Sequence, residues 1–187
     1  PNVVKGCTDA PAIRPNNITF SAAPTATVSG KAIDLVTNCG SVNIALDKKA
    51  PMTTAIMTFL AQKKYFDQTE CHRVTIAAFY VLQCGDPTAT GTGDPGFKFA
   101  DENLPTTTTN NIYKAGTVAM ANSGPNTNGS QFFLVYKDSP LPAKYSVWGH
   151  ITKGLPIVKA IAAAGVSTGT ADGKPRQRVV IKKAIVR

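Results

Sequence analysis

Few side chains in this sequence have the types and spacing that acid–base or nucleophilic catalysis requires. The two histidines, His72 and His150, could serve a catalytic triad only with partners that the sequence does not place beside them. The chain contains no His-Glu-x-x-His and no P-loop motif. The sequence therefore gives no support to a zinc metalloprotease or to P-loop phosphate chemistry.

A glycine-rich segment over residues 85–104 contains one formal nucleotide-binding motif, Gly91-x-Gly93-x-x-Gly96. A dinucleotide fingerprint requires a strand before the motif and the start of a helix after it. Pro95 lies inside the motif, and the residues that follow have no helical pattern. We therefore exclude a nucleotide site and interpret the segment as a flexible surface loop.

The cysteines and the net charge further restrict the functions that this protein could have. None of Cys7, Cys39, Cys71 and Cys84 forms a C-x-x-C pair, which argues against a zinc site, and nothing indicates another metal or a cofactor. The even number of cysteines permits two disulfides, which would imply an oxidising compartment; free buried thiols are the alternative. The net charge of +9 comes from scattered residues, so we expect a solvated basic surface and no nucleic-acid site.

Two stretches carry a more specific signal. The first is Cys71–Val74 followed by Phe79–Asp86, where a His-Arg pair precedes a strand that ends in Gln83 and Cys84. The second runs from Met120 to Phe133, where an apolar strand enters a turn of Asn, Gly, Pro and Ser and a second apolar strand leaves it. Turn residues between two apolar runs predict a long, constrained β connection.

Together and in this order, the two stretches resemble the signatures of the cyclophilins, the peptidyl-prolyl cis/trans isomerases. The resemblance covers roughly residues 33–186. It implies a mainly β fold, a closed eight-stranded antiparallel β-barrel capped by two α-helices. The apolar pattern agrees, because it predicts about eight short strands, one of them over residues 68–74, and two helices that do not alternate with them.

We expect residues 25–187 to form this domain. Residues 1–24 are rich in proline, and we interpret them as an extended N-terminal arm, with disorder as the alternative. The helices are predicted to begin near Pro51 and Pro156, since proline suits the first turn of a helix. The closing strand over residues 179–186 is predicted to carry a bulge at Lys182 or Lys183.

The family accelerates rotation about X–Pro bonds, which amide resonance opposes with a barrier of about 20 kcal/mol. The resemblance implies that Arg73 is the catalytic guanidinium and that Gln83 orients it. Ala121 and Asn122 match the strand edge that pairs with substrate backbone, and Phe133 matches the floor of the proline pocket. The full set of substrate-binding residues implied by the resemblance is Tyr80, Val81, Ala121, Asn122, Gln131, Phe133, Leu141 and Tyr145.

The sequence departs from the family pattern at two places in this region. The loop between Arg73 and Gln83 is longer than usual, so counting back from Gln83 selects Tyr80 as the pocket aromatic, with Phe79 as the alternative. The tryptophan through which the family contacts cyclosporin aligns near Pro140, so cyclosporin binding is predicted to be weak.

The sequence allows more than one pairing of the four cysteines. If Arg73 and Gln83 share a face, Cys71 lies on that face and Cys84 on the other, so a direct Cys71–Cys84 bridge requires a bulge. Longer-range pairs, such as Cys7–Cys84 with Cys39–Cys71, are at least as plausible.

The resemblance predicts an isomerase of proline-containing polypeptides that assists their folding. We expect a monomer outside the cytoplasm, and since the chain begins at Pro1, a mature or excised form of a longer product. A domain that keeps the groove for peptide binding alone is the main alternative. A secreted structural β-domain would explain the cysteines but not the two motifs.

Overall fold

Most of the fold is one antiparallel sheet of ten strands, curled around an apolar interior. The computed structural model describes residues 2–15, 17–25, 30–106 and 112–187. Within these ranges lie two helices, α1 (Pro51–Gln62) and α2 (Leu155–Ala163). The strands are β1 (Ala32–Thr37), β2 (Gly40–Leu46), β3 (Thr69–Glu70), β4 (Arg73–Thr75), β5 (Val81–Cys84), β6 (Thr117–Met120), β7 (Phe132–Val135), β8 (Val147–Lys153), β9 (Asp172–Gly173) and β10 (Val180–Val186).

The two predicted helices are confirmed, and the first two strands form an antiparallel hairpin. Ile33, Leu35, Val42 and Ile44 alternate with more exposed residues along β1 and β2, and all four are buried. Both helices carry proline in the first turn, where its missing N–H is not needed. The bulge in β10 is also found, because Val36 pairs with Lys183 and Thr37 with Ile181, which leaves Lys182 unpaired.

The number of strands differs from the expected eight. The sheet order is β3-β10-β1-β2-β8-β6-β7-β5-β4-β9. The strand predicted over residues 68–74 is interrupted at Cys71 and His72, so it forms the separate strands β3 and β4. The short strand β9, inside a segment that the sequence pattern leaves irregular, adds to the count by pairing with β4.

Strands β5, β6 and β7 are buried on both faces, which explains their nearly continuous apolar sequences. Phe132 and Leu134 point into the main core, where Phe132 stacks edge-on against Trp148 at 5.7 Å. Phe133 and Val135 point the other way, into a second and smaller apolar cluster outside the sheet. This second cluster lies beneath the candidate active site.

The described residues before β1 form neither helix nor strand, and they lie against the domain. Cys7 is bonded to Cys39 in the β1–β2 turn, and the Thr8 N–H donates to the Asn38 carbonyl at 2.8 Å. Further along, Arg14 Nη2 donates to the Tyr65 carbonyl at 2.6 Å, and the Phe20 ring packs 5.1 Å from that of Phe59. The division between arm and domain at residues 24 and 25 stays a prediction.

The structure has two disulfides, Cys7–Cys39 and Cys71–Cys84. The longer-range pairing of Cys7 with Cys84 and Cys39 with Cys71 is therefore wrong. The direct Cys71–Cys84 bridge forms because the strand is interrupted at Cys71 and His72, which supplies the irregularity that the bridge requires. Both sulfurs then lie in the main core, with Cys71 2 % and Cys84 0 % exposed.

Candidate active site

A row of side chains crosses four neighbouring strands on the outer face of the sheet. Arg73 on β4 pairs with Gln83 on β5, Gln83 pairs with Phe133 on β7, and Phe133 pairs with Ala119 on β6. Directly opposite residues of an antiparallel pair project to the same face. The register therefore sets a cation, an amide and an aromatic ring side by side along one groove.

The groove has a volume of about 390 Å³, and most of the predicted site residues line it. Gln131 lies in an adjoining recess that shares Gln83, Ala121 and Asn122 with the groove. The lining also includes residues that the sequence analysis left out of the site. The residues around the groove are Arg73, Phe79, Val81, Gln83, Ala121, Asn122, Phe133, Pro140, Leu141, Pro142 and Tyr145.

Arg73 is held on three sides. Its Nε and Nη2 donate to the two carboxylate oxygens of Asp172 at 2.7 and 2.6 Å, and its Nη1 donates to Gln83 Oε1 at 3.2 Å. The guanidinium carbon also lies 5.6 Å from the centre of the Phe79 ring, within the range of a cation–π contact. The hydrogen bond with Asp172 raises the pKa of Arg73 above its ordinary value and lowers the pKa of Asp172.

A guanidinium carries five N–H groups, and these contacts use three of them. Within the part of the chain that the structure describes, one N–H on Nη1 and one on Nη2 remain without a partner. They belong to a side chain that lines the groove. Arg73 can therefore donate hydrogen bonds to a molecule bound in the groove without breaking any of its own.

Gln131 fixes the orientation of the Gln83 amide. Its Nε2 donates to the backbone carbonyls of Gly91 and Gly93, both at 3.0 Å, so its Oε1 is left facing Gln83. Gln83 Nε2 donates to that oxygen at 2.9 Å, which turns Gln83 Oε1 toward Arg73. The two loop carbonyls thus determine, through two amides, that Arg73 meets an acceptor.

The glycine-rich loop that supplies these carbonyls is organised around Asp86. This carboxylate is fully buried and accepts hydrogen bonds from the backbone N–H groups of Thr88, Thr90, Gly91 and Gly93. Burial alone would raise the pKa of Asp86, but the hydrogen bonds outweigh it, so the pKa lies below its ordinary value. The sequence suggested a flexible surface loop, whereas the structure shows a loop with a defined internal scaffold.

The selection of Tyr80 as the pocket aromatic is wrong, because Phe79 lines the groove. Tyr80 lies on the opposite face, edge-on to Tyr136 at 5.9 Å and under Lys137 Nζ at 4.3 Å. Directly before Phe79, Ala78 has a φ of 65°, in the left-handed region, so the chain turns sharply there. From Phe79 onward the chain alternates faces as a strand does, which sends Phe79, Val81 and Gln83 to the groove.

The wall of the groove is anchored by Tyr113, which the sequence analysis did not single out. Its hydroxyl accepts from the Tyr145 N–H at 2.9 Å and donates to the Tyr145 carbonyl at 3.0 Å. Burial raises the pKa of Tyr113 to about 12, so the hydroxyl stays protonated at neutral pH. Asn122 Nδ2 adds a hydrogen bond to the Lys144 carbonyl at 2.8 Å. These contacts hold the Tyr145 ring 5.3 Å from Phe133, against the floor of the groove.

His72, beside Arg73 in sequence, is turned away from this groove. Burial lowers its pKa, and neither ring nitrogen has a hydrogen-bond partner in the described part of the chain. Among the same residues, no group of three or more His, Cys, Asp or Glu side chains is arranged to hold a metal ion. Arg73 is the charged residue among those that line the groove.

A comparison with models of protein families identifies the family of this chain. Residues 32–186 match the model described as cyclophilin type peptidyl-prolyl cis-trans isomerase/CLD. The chain belongs to the cyclophilin family. The match covers all ten strands and both helices, and it leaves out only the residues before β1 and Arg187.

Curated relatives of this cyclophilin include a probable peptidyl-prolyl cis-trans isomerase B from Mycobacterium tuberculosis, 45% identical over 166 residues, covering 83% of this chain and 54% of that protein. Another is a peptidyl-prolyl cis-trans isomerase-like 1 from Gibberella zeae, 39% identical over 159 residues, covering 82% of this chain and 93% of that protein. The chain thus spans about half the length of the mycobacterial relatives named isomerase B that it matches.

Solved structures agree with the fold. A cyclophilin type isomerase from Cryptosporidium parvum superposes with a TM-score of 0.72 at 28% identity, covering 84% of this chain and 98% of that one. The same isomerase, solved in the presence of the dipeptide Ala-Pro, superposes with a TM-score of 0.71.

Within the described ranges, no helix is both long enough and apolar enough to cross a bilayer.

Proposed function

We propose that this cyclophilin is a peptidyl-prolyl cis/trans isomerase that acts on proline-containing polypeptides and assists their folding. The observation that carries the proposal is the row formed by Arg73, Gln83 and Phe133, which places donors with free N–H groups beside an apolar floor in one groove. The names of the relatives agree with this activity.

The reaction makes and breaks no covalent bond, so the groove has to bind the twisted amide better than the planar one. Twisting about the X–Pro bond localises a lone pair on the prolyl nitrogen. The free N–H groups of Arg73 can donate to that lone pair, and this interaction exists only near the transition state. Gln83 holds the guanidinium in place through Nη1.

The apolar residues hold the proline ring while the rest of the peptide turns. Phe133 is 4 % exposed and forms the floor, and Phe79, Leu141 and Tyr145 line the groove with it. Ala121 and Asn122, at the end of β6, offer backbone groups to an extended substrate. In the native fold the Ala121 N–H pairs with the Gln131 carbonyl at 2.9 Å, which fixes the backbone at this edge of the groove.

The test is a peptide isomerisation assay on the wild type and on Arg73→Ala. The variant is expected to lose most of the transition-state stabilisation, a fall in kcat/KM on the order of 100-fold, as for the removal of an oxyanion donor. Arg187→Ala, which removes another exposed arginine paired with a carboxylate, serves as the charge-matched control and should keep its activity. Equal turnover in Arg73→Ala and the wild type would refute the mechanism.

We further infer that the curled sheet is the closed eight-stranded barrel of the family. β3 is the first strand of the order and β4 is the last but one, beside the two-residue β9, yet only Cys71 and His72 separate β3 from β4 along the chain. If β3 and β4 count as one interrupted strand and the two-residue β9 is set aside, eight strands remain.

Location and oligomeric state are part of the same proposal. Two disulfides support an oxidising compartment outside the cytoplasm, since such bonds persist poorly among reducing agents. The protein is expected to act as a monomer, because one chain supplies the whole groove. Sedimentation at micromolar concentration tests the second point, and a stable dimer would contradict it.

Weak binding of cyclosporin is also proposed. The family's tryptophan aligns near Pro140, which lines the groove, so we expect no indole N–H there to donate to the ligand. Inhibition of the isomerase assay by submicromolar cyclosporin would contradict this expectation. Replacement Pro140→Trp should tighten inhibition if the missing indole is the cause.

A further inference from the structure

The carboxylate of Asp172 makes two hydrogen bonds to the arginine of the groove, from a segment distant in sequence. Oδ1 accepts from Arg73 Nε at 2.7 Å and Oδ2 accepts from Nη2 at 2.6 Å. The two residues are 99 positions apart, and the sheet brings them together because β9 pairs with β4. Asp172 lies opposite Thr75, and the Ile76 N–H donates to the Ala171 carbonyl at 2.9 Å, so the backbone beneath the carboxylate is fixed.

Stability does not account for this pair. The side chains of Arg73 and Asp172 are 36% and 51% exposed, and ion pairs with this exposure add little to folding because water and salt screen them. Two parallel N–H···O bonds instead impose a definite geometry, since the planar fork of a guanidinium matches a carboxylate in only one orientation.

Gln83 alone cannot supply that geometry. It accepts a single hydrogen bond, from Nη1 at 3.2 Å, and the guanidinium plane can still turn about one such bond. The Phe79 ring, 5.6 Å from the guanidinium carbon, supports one face but fixes no direction within the plane. Asp172 adds two contacts along the Nε–Nη2 edge and so removes the remaining freedom.

We propose that Asp172 is a positioning residue of this isomerase, a proposal that rests on the proposed function. It holds the Nε–Nη2 edge of Arg73 so that the unpaired N–H groups of Nη1 and Nη2 point at the prolyl nitrogen. The substrate then meets an arginine whose side chain is already ordered. Asp172 acts through Arg73 and need not contact the substrate itself.

The test compares Asp172→Asn and Asp172→Glu with the wild type in the peptide isomerisation assay. Asp172→Asn should lower kcat by about tenfold and leave KM nearly unchanged. This loss is smaller than the roughly 100-fold that a misplacement of about 1 Å can cost. Asp172→Glu keeps the charge and the bidentate acceptor on a longer arm, so it should recover part of the loss. The melting temperature of both variants should stay close to that of the wild type.

Asp34→Asn is the matched control. It makes the same change of charge and breaks another aspartate–arginine pair, in which Arg187 Nε donates to Asp34 Oδ2 at 3.0 Å; the side chain of Arg187 is 62% exposed and that of Asp34 is 15% exposed. Its kcat should equal that of the wild type. A similar loss of kcat in Asp34→Asn would show that net charge is the cause and would overturn the proposal.

A second readout follows the arginine directly. In a ¹H–¹⁵N spectrum, the Arg73 Nε–H signal, assigned by its absence from Arg73→Lys, should be protected from exchange in the wild type and lose that protection in Asp172→Asn. Unchanged protection would overturn the proposal even if the variant were inactive.

The failures of the two proposals are distinguishable. If Arg73→Ala is inactive while Asp172→Asn turns over like the wild type, the proposed function stands and the role of Asp172 is refuted. A faster Asp172→Asn would mean that the carboxylate competes with the substrate for Arg73, which also refutes it. A wild type without turnover would overturn the proposed function and this inference with it.

Discussion

The orientation of the Gln83 amide depends on Gln131, and Gln131→Glu tests that dependence. The wild-type Nε2 donates to the Gly91 and Gly93 carbonyls, both at 3.0 Å. An ionised carboxylate has no hydrogen to donate, so both bonds are lost and an anionic oxygen faces two carbonyls. At about 1 kcal/mol for each bond, the substitution destabilises the ordered arrangement by about 2 kcal/mol. A difference of that size corresponds to about 30-fold in an equilibrium constant.

The expected result is therefore a 10- to 30-fold fall in kcat/KM near pH 7.5, if turnover requires the ordered arrangement. The two carbonyls disfavour the charged form, so the pKa of the introduced carboxyl should lie above the ordinary glutamate value of about 4.3. Its protonated form can donate again to one carbonyl. Activity relative to the wild type should consequently rise as the pH falls from 8 to 5.

The assay is kcat/KM for a proline-containing peptide across this pH range, with both proteins in the same buffers. Gln68→Glu, a change of equal charge at an exposed glutamine away from the groove, is the control and should follow the wild type. The reasoning is refuted if Gln131→Glu stays within twofold of the wild type at pH 7.5. It is equally refuted if its loss is the same at every pH.

Three further outcomes are expected. Phe79→Ala should raise KM and lower kcat/KM in the isomerase assay, whereas Tyr80→Ala should alter neither, because only the first ring lines the groove. Replacing Cys71 and Cys84 by serine should cost about 3 kcal/mol in a urea titration, the loop-closure estimate for a short loop; a loss below about 1 kcal/mol would contradict it. The folded-state pKa of Asp86 is lowered, so its contribution to stability is present above the ordinary value of 3.8 and lost as the pH falls below it. Asp86→Asn should flatten that acid-side decline in thermal melts, and an unchanged slope would refute the assignment.

The central row of the site could be predicted from the sequence because motif and strand period agree there. Arg73, Gln83 and Phe133 each belong to a short strand whose register the flanking apolar residues determine. At the pocket aromatic, the spacing of the family motif and the alternation of the strand disagree, and the strand alternation gave the correct residue. Counting back by twos from Gln83 selects Val81 and Phe79, whereas counting back with the residue spacing of the family motif selected Tyr80.

Other parts of the site leave no local signal. Asp172 lies in a polar loop, and its sequence neighbourhood says nothing of Arg73, which is 99 residues away. The interruption at Cys71 and His72 could likewise not be predicted from the sequence, because the strand pattern continues through these two residues. A local pattern reports which face a residue takes, but the pairing of distant segments decides what it meets there.

The hydrogen bonds of the site form a chain in which each side chain donates to the next one. Arg73 donates to Gln83, Gln83 donates to Gln131, and Gln131 donates to the carbonyls of Gly91 and Gly93. If the Gln83 amide flipped, its NH₂ would face the guanidinium and its oxygen would face the oxygen of Gln131, which would replace two attractions by two repulsions. Flipping Gln131 as well would relieve one repulsion and set its oxygen against the two carbonyls. Backbone carbonyls cannot reverse without rebuilding the loop around Asp86, so the acceptor that Arg73 meets is determined at the far end of the network.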